Sequence, residues 1–133
     1  MSAAARVVRP GGHIIIASEC RAGIPDGSGY EQLLRSPSSS AELLRSLSTG
    51  DSVTPGQWQV QIQLAVQTRA TVHVRSDGLS DEQIRDARLE PCQDIEETLT
   101  HLISDRATRA SVCLLPDGPM TIPTLDSRAT DLS

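Results

Sequence analysis

A cysteine and three glycines follow a short apolar run near the start of the chain. Ile14 to Ala17 form the run, Cys20 comes next, and the glycines lie between positions 23 and 29. A phosphatase loop of the C-x5-R type would need arginine at position 26, where this chain has Asp26. The glycine spacing is not GxGxxG, and no Lys-Ser/Thr pair follows it, as a phosphate-binding loop would require. The sequence therefore predicts a small, buried Cys20 and a plain turn-rich loop.

The histidines and the missing lysines limit the chemistry further. His13, His73 and His101 fall on different predicted elements, without the short spacing of metal ligands. All 12 basic residues are arginine, so a phosphate-binding lysine, a Schiff-base lysine and a lysine general base are excluded within this polypeptide. We expect no metal site made by this chain alone.

The single tryptophan, Trp58, comes in the first turn of a predicted helix. An indole at such a position is either a core anchor or the rim of a pocket, because it combines a large apolar body with one N–H donor. Local sequence alone favours the core.

The elements that would position these residues are those of an α/β fold. Ile14 to Ala17 are predicted as the central strand, and Ser18 to Tyr30 as the functional rim beyond its carboxyl end. Further strands are predicted at 71–76 and 111–115. Helical spacing and capping residues predict five helices: one that contains Tyr30, and four that begin at N-caps Ser40, Thr54, Ser80 and Asp94, the last ending near Arg106. From position 57 onward, Gln residues alternate with apolar ones as in a half-buried strand, but the length to about Ala70 and the helix propensity favour a helix. We expect a three-layer α/β fold, with a mostly parallel sheet of about three to five strands and helices on both sides.

Length, charge and cysteine content set the broad class. The 133 residues fit one domain, taken as 1–125, followed by a mobile polar tail at 126–133. A net charge of -5 argues against nucleic-acid and anionic-membrane partners, and the apolar runs are shorter than the ~20 residues of a membrane span. Three cysteines without paired spacing indicate a reducing cytoplasm. We expect Cys20, Cys92 and Cys113 to be unpaired and at least partly buried.

Three segments together resemble a known family. Residues 7–23 read VVRPGGHIIIASECRAG, residues 57–59 read QWQ, and residues 114–119 read LLPDGP with TIP at 121–123. In this order and spacing they are similar to the C-terminal domain of the nickel-dependent lactate racemases. The resemblance implies an isomerase that interconverts the stereoisomers of 2-hydroxy acids. It also implies a nickel pincer nucleotide as hydride acceptor, in a cleft between two domains.

The resemblance also implies where the functional residues lie. In the family the N-terminal domain carries the lysine that tethers the cofactor, the nickel-binding histidine and the acid/base histidines, and none of these has a counterpart here. Trp58 matches an active-site position and is expected on the substrate side. Ser18, Glu19 and Gly23 match a recurrent segment and are expected to shape the rim. The implied partners are the N-terminal catalytic domain and a small 2-hydroxy acid, and the isolated chain would bind no cofactor.

Two functions remain open at this point. The first is the C-terminal domain of a lactate-racemase-like racemase or epimerase, catalytically incomplete as an isolated chain. The alternative is a stand-alone, non-catalytic α/β binding or protein-interaction module that keeps the domain without the chemistry. The reading frame upstream of Met1 would discriminate them, because only the first requires an encoded histidine-bearing domain.

Overall fold

A three-stranded parallel sheet forms the centre of the molecule. The computed structural model describes residues 1–50, 53–104 and 110–125. The sheet order is β1-β2-β3, and β1 pairs with β2 from Gly12↔Ala70 to Ala17↔Arg75. The strands are β1 (Gly12–Ala17), β2 (Ala70–Arg75) and β3 (Glu90–Pro91); the helices are α1 (Ser2–Ala5), α2 (Gly29–Leu34), α3 (Ser40–Thr49), α4 (Gln57–Gln67), α5 (Asp81–Asp86) and α6 (Ile95–Ser104), with a 3-10 turn at Gly118–Met120. The predicted α/β class and parallel sheet are confirmed.

Serine caps start several of the helices. Ser28 accepts a hydrogen bond from the backbone of Glu31 at the start of α2. Ser39 and Ser80 head capping boxes on α3 and α5. The cap of α3 had been predicted one residue later, at Ser40. Each cap satisfies backbone N–H groups that a helix cannot pair internally, which fixes where the helix begins.

Helix α4 lies between two apolar clusters. The cluster on the sheet consists of Ile14, Val66, Ala70, Val72, Val74 and Ile84. The cluster between helices consists of Leu34, Leu43, Val60, Leu64 and Ala87. Val60 and Leu64 are fully buried, and burying such a side chain contributes about 1.5–3 kcal/mol. Because α4 supplies residues to both clusters, it is the main core element of the fold.

The prediction of a central strand at Ile14 to Ala17 is wrong. The central strand is β2, and β1 lies at an edge of the three described strands. Along β1 burial alternates, so that Ile14 is buried, Ile15 is half-buried and Ala17 is exposed. A run of β-branched residues indicates a strand but does not show how well its second face is covered.

The strand predicted at 111–115 is absent from the structure. Val112 and Leu114 are 61% and 82% exposed, and Cys113 is exposed as well. The prediction of partial burial is therefore wrong for Cys113; Cys92 is buried, Cys20 is half-buried, and all three are free. The N–H of Cys92 donates to the carbonyl of Val74, so the backbone of Cys92 faces β2. The backbone of the preceding residue, Pro91, therefore faces the outer edge of β3, where proline has no N–H to offer a further strand.

Some predictions concern residues outside the described part of the chain. These are the mobile tail at 126–133 and the end of α6 near Arg106. No helix among the described residues is long and apolar enough to cross a membrane. A cytoplasmic location and a single domain at 1–125 stay predictions.

Candidate functional site

The segment after β1 is fixed to the segment after β2. We call residues 18–28 the rim segment; it leaves the carboxyl edge of the sheet, where ligands bind in open parallel sheets. Gly78 donates its N–H to the carbonyl of Glu19 at 2.9 Å, and the hydroxyl of Ser76 donates to the same oxygen at 3.0 Å. A Cβ on Gly78 would lie 2.5 Å from the carbonyl oxygens of Glu19 and Cys20. Only glycine allows this close approach, so the rim segment has a defined place.

The predicted rim residues all lie on this segment. Ser18 extends the strand pairing by donating its N–H to Arg75 at 3.0 Å. The exposed carboxylate of Glu19 pairs with Arg21 at 2.9 Å. Gly23 closes a turn onto the carbonyl of Cys20 at 2.8 Å with a φ of +63°, which favours glycine. Their role in binding stays a prediction.

Trp58 is exposed at the same edge. Helix α4 ends at Gln67 and leads directly into the start of β2, so it runs antiparallel to the strands and begins near their carboxyl ends. The side chain of Trp58 is 63% exposed, which contradicts the expectation of a core residue that local sequence favoured. The substrate-side role of Trp58 that the resemblance implies stays a prediction.

Close backbone contacts connect the start of α4 to the end of the rim segment. A Cβ on Gly29 would lie 2.1 Å from the carbonyl oxygen of Pro55. Gly56 has a φ of +83° and precedes α4, and a Cβ there would lie 2.9 Å from the backbone nitrogen of Tyr30. Gly56, and not the predicted Thr54, is the N-cap of this helix. The turn before Trp58 therefore packs against the first turn of α2, directly after the rim segment.

A polar pair that joins α2 to α4 was missed by sequence reasoning. The hydroxyl of Tyr30 donates to Oε1 of Gln63, and Nε2 of Gln63 donates to the carbonyl of Ala87 at 2.6 Å. Burial raises the pKa of Tyr30, and the nearby charge of Cys20 raises it further. In the sequence, the glutamines from position 57 indicate a helix only through their helix propensity. Because they repeat at every second position, the pattern does not distinguish buried glutamines from exposed ones.

The parallel register also brings two histidines together. Nδ1 of His13 lies 3.0 Å from Nε2 of His73, with the ring centres 5.3 Å apart. Burial lowers the pKa of His73, and the charge of His13 lowers it further, while Glu90 acts in the opposite direction. In the part of the chain that the structure describes, no group of three His, Cys, Asp or Glu residues could hold a metal ion.

A small pocket between the rim segment and α5 is lined by three carboxylates and one guanidinium. Its volume is about 50 Å³, and Asp26, Glu31, Arg35 and Asp86 are among its lining residues. Nη2 of Arg35 lies 2.7 Å from Asp86 and 3.2 Å from Glu31. The ion pair with Asp86 ties the end of α2 to α5. We therefore interpret the pocket as structural, and the candidate site remains the edge formed by the rim segment and Trp58.

Comparison with known proteins gives consistent results. A family model described as the lactate racemase C-terminal domain matches residues 1–122. Among solved structures, the chain is similar to the lactate racemase apoprotein from Thermoanaerobacterium thermosaccharolyticum, with a TM-score of 0.68 and 29% identity. The similarity covers 78% of this chain and 25% of that chain, so this chain spans about a quarter of the solved structure's length. A search of curated proteins gave no match. The matches do not favour the alternative of a stand-alone binding module.

Proposed function

Because this chain belongs to the lactate racemase C-terminal domain family, we propose that it acts as the C-terminal domain of a racemase or epimerase of 2-hydroxy acids. The observation that carries the proposal is the exposed Trp58 at the carboxyl edge of the sheet, beside the end of the rim segment. Its partner would be a larger N-terminal domain, with the substrate bound in the cleft between them.

The residues of this chain do not fit the nickel pincer nucleotide. The chain has no lysine to tether the nucleotide, and His13 and His73 are bonded to each other rather than aimed at a common point. We therefore assign the cofactor and the acid/base groups to the N-terminal domain. On this basis, the isolated chain is inactive and binds no cofactor of its own.

The contribution of this chain is a shaped surface. The exposed indole of Trp58 offers an apolar face that excludes water and an N–H that can donate to a carboxylate or hydroxyl oxygen. The rim segment carries two carboxylates, Glu19 and Asp26, and the ion pair of Glu19 with Arg21 offsets one of these negative charges near an anionic substrate. Both ion-paired side chains are well exposed, so solvent screens this effect.

The test is to express the complete reading frame that encodes this chain and to assay it with nickel cofactor supplied. Racemisation of a single 2-hydroxy acid enantiomer, followed by chiral chromatography, is the expected result. Trp58→Ala should lower kcat/KM by about 10- to 100-fold if the indole contacts substrate, and Trp58→Phe by less. A fully loaded protein that leaves the stereochemistry of several 2-hydroxy acids unchanged would overturn the proposal. A frame that encodes no second domain would also count against it.

A further inference from the structure

Helix α4 buries two of its glutamines beside Val60, Leu64 and Val66, and it exposes Trp58 and Ile62. Gln57 and Gln63 are buried, at 9% and 2% exposure, whereas Trp58 and Ile62 are 63% and 46% exposed. Burial of Val60, Leu64 and Val66 turns one face of α4 toward the core. The two buried glutamines on this side of the helix add hydrogen bonds that also act on the rotation of α4 about its axis.

Glutamine amides form hydrogen bonds to neighbouring helix ends. Nε2 of Gln57 and Nε2 of Gln61 both donate to the carbonyl of Leu47, at 2.8 and 2.9 Å, in the last turn of α3. Nε2 of Gln63 donates to the carbonyl of Ala87, just after α5. Carbonyls at helix C-termini have no partner within their own helix, so these amides satisfy acceptors that would otherwise be left unpaired.

Gln63 is the member of this set that also bonds to the rim side of the molecule. Its Oε1 accepts from the hydroxyl of Tyr30, so both ends of the buried amide are used. Tyr30 lies in the first turn of α2 and also contacts Gly56, the N-cap of α4. Helix α2 thus contacts α4 at two positions along the axis of α4: through the backbone at Gly56 and through a side-chain hydrogen bond at Gln63.

We infer that Tyr30 and Gln63 are positioning residues that fix the rotation of α4 and so hold the indole of Trp58 outward at the edge of the rim segment. Without the hydrogen bond between them, the buried Oε1 of Gln63 has no partner, and burial of this side chain becomes unfavourable. Helix α4 can then rotate so that Gln63 moves toward solvent and Trp58 moves toward the core, with Val60 and Leu64 still buried. The importance of this for catalysis rests on the proposed function, but the positioning itself does not.

The experiment uses Trp58 as its own reporter, since it is the only tryptophan in the chain. Gln63→Met keeps the length of the side chain without its hydrogen bonds, and Tyr30→Phe removes only the hydroxyl. Gln59→Met is the matched control, because Gln59 lies on the exposed side of the same helix. Circular dichroism and a cooperative melt establish that each variant is folded before its fluorescence is compared.

We expect the acrylamide quenching constant of Trp58 to fall by about twofold in Gln63→Met, with emission at shorter wavelength, as the indole leaves water. Tyr30→Phe should shift both quantities in the same direction by less, and Gln59→Met should leave them unchanged. The double variant should match Gln63→Met alone, because the two residues act as one unit.

Folded Gln63→Met and Tyr30→Phe variants with an unchanged quenching constant would overturn the inference, whatever their melting temperatures. An equal change in Gln59→Met would overturn it as well. If Gln63→Met does not fold, Tyr30→Phe decides alone by the same criterion. Because the readout requires no turnover, failure of the racemase assay would count against the proposed function and leave this inference standing.

Discussion

The two parts of the chain differ sharply in how they use apolar residues. We call residues 1–92 the packed region; it contains every buried residue that the structure describes. We call the described residues from 93 onward the open region. There α6 has an apolar face at helical spacing without one buried residue, and Val112, Leu114, Met120, Ile122 and Leu125 are all strongly exposed. The difference shows that apolar spacing can predict which face of a helix or strand is apolar. Whether that face is buried depends on another element that packs against it.

Thiol labelling should give the largest contrast between the two regions. Cys113 in the open region is exposed, while Cys92 in the packed region is 3% exposed. A buried thiol reacts only through an opening reaction, so Cys92 should label about a thousandfold or more slowly than Cys113 in native protein. Ellman's reagent followed over time, with mass spectrometry to locate the adduct, measures this. Comparable labelling rates at the two thiols would contradict the division of the chain into a packed region and an open region.

Truncating a leucine in each region should affect stability very differently. Leu64 is fully buried in α4, and Leu64→Ala should lower the free energy of unfolding by about 2–5 kcal/mol. Leu114→Ala removes the same atoms from an 82% exposed side chain and should change it by less than about 0.5 kcal/mol. Urea denaturation followed by circular dichroism measures both. A large loss at Leu114 would show that the open region has a buried surface after all.

Adding one methyl group to a glycine gives a smaller contrast. The Cβ of Gly78→Ala would meet the carbonyls of Glu19 and Cys20 at 2.5 Å, so the rim segment must shift, at about 1–3 kcal/mol. Gly118, in the open region, has nothing within 4 Å of its Cβ position, and Gly118→Ala should be close to neutral. Thermal melts of both variants test the pair. An unaffected Gly78→Ala would mean that the rim segment is not held by the turn after β2.

The smallest predicted effect is a pH dependence that arises in the packed region. The pKa of His73 is lowered in the folded protein, by burial and by the charge of His13, so the unfolded state binds more protons as the pH falls. This contribution to stability is therefore fully present above about pH 6.5 and is lost as the pH falls through the folded pKa of His73. Urea titrations at several pH values should show the loss in wild type and a weaker one in His73→Asn. His101→Asn, on α6, should keep the wild-type dependence of the free energy of unfolding on pH. A weaker dependence in His101→Asn would contradict the assignment of the effect to His73.

Local signals in the sequence were sufficient for much of the fold. Serine caps and helical spacing predicted α2, α3, α5 and α6, and the choice of helix over strand for the segment containing Trp58 was correct. Local patterns could not reveal pairing between distant residues. The contact of His13 with His73 depends on the register of β1 with β2, and the burial of Gln63 depends on Tyr30 and on the carbonyl after α5.

The candidate site was predictable only in outline. That a rim follows β1 could be predicted from the chain, because an apolar strand ended in small and polar residues. The close contact of Gly78 with the backbone of Glu19 could not be predicted, since the two segments are far apart in sequence. Trp58 shows the limit most clearly: local sequence favoured the core, whereas the structure leaves this side chain exposed.

Pro91 has a consequence for the behaviour of the protein at high concentration. Exposed strand edges recruit strands from other molecules, and such edge-to-edge pairing is a common start of aggregation. The chain also carries an exposed, β-prone stretch around Val112 and Leu114, the kind of segment that pairs with an open edge. Because β3 is two residues long and presents proline outward, its edge is a poor template for that stretch in a neighbouring molecule. At the β3 edge, a single residue without an N–H thus limits pairing with strands of neighbouring molecules.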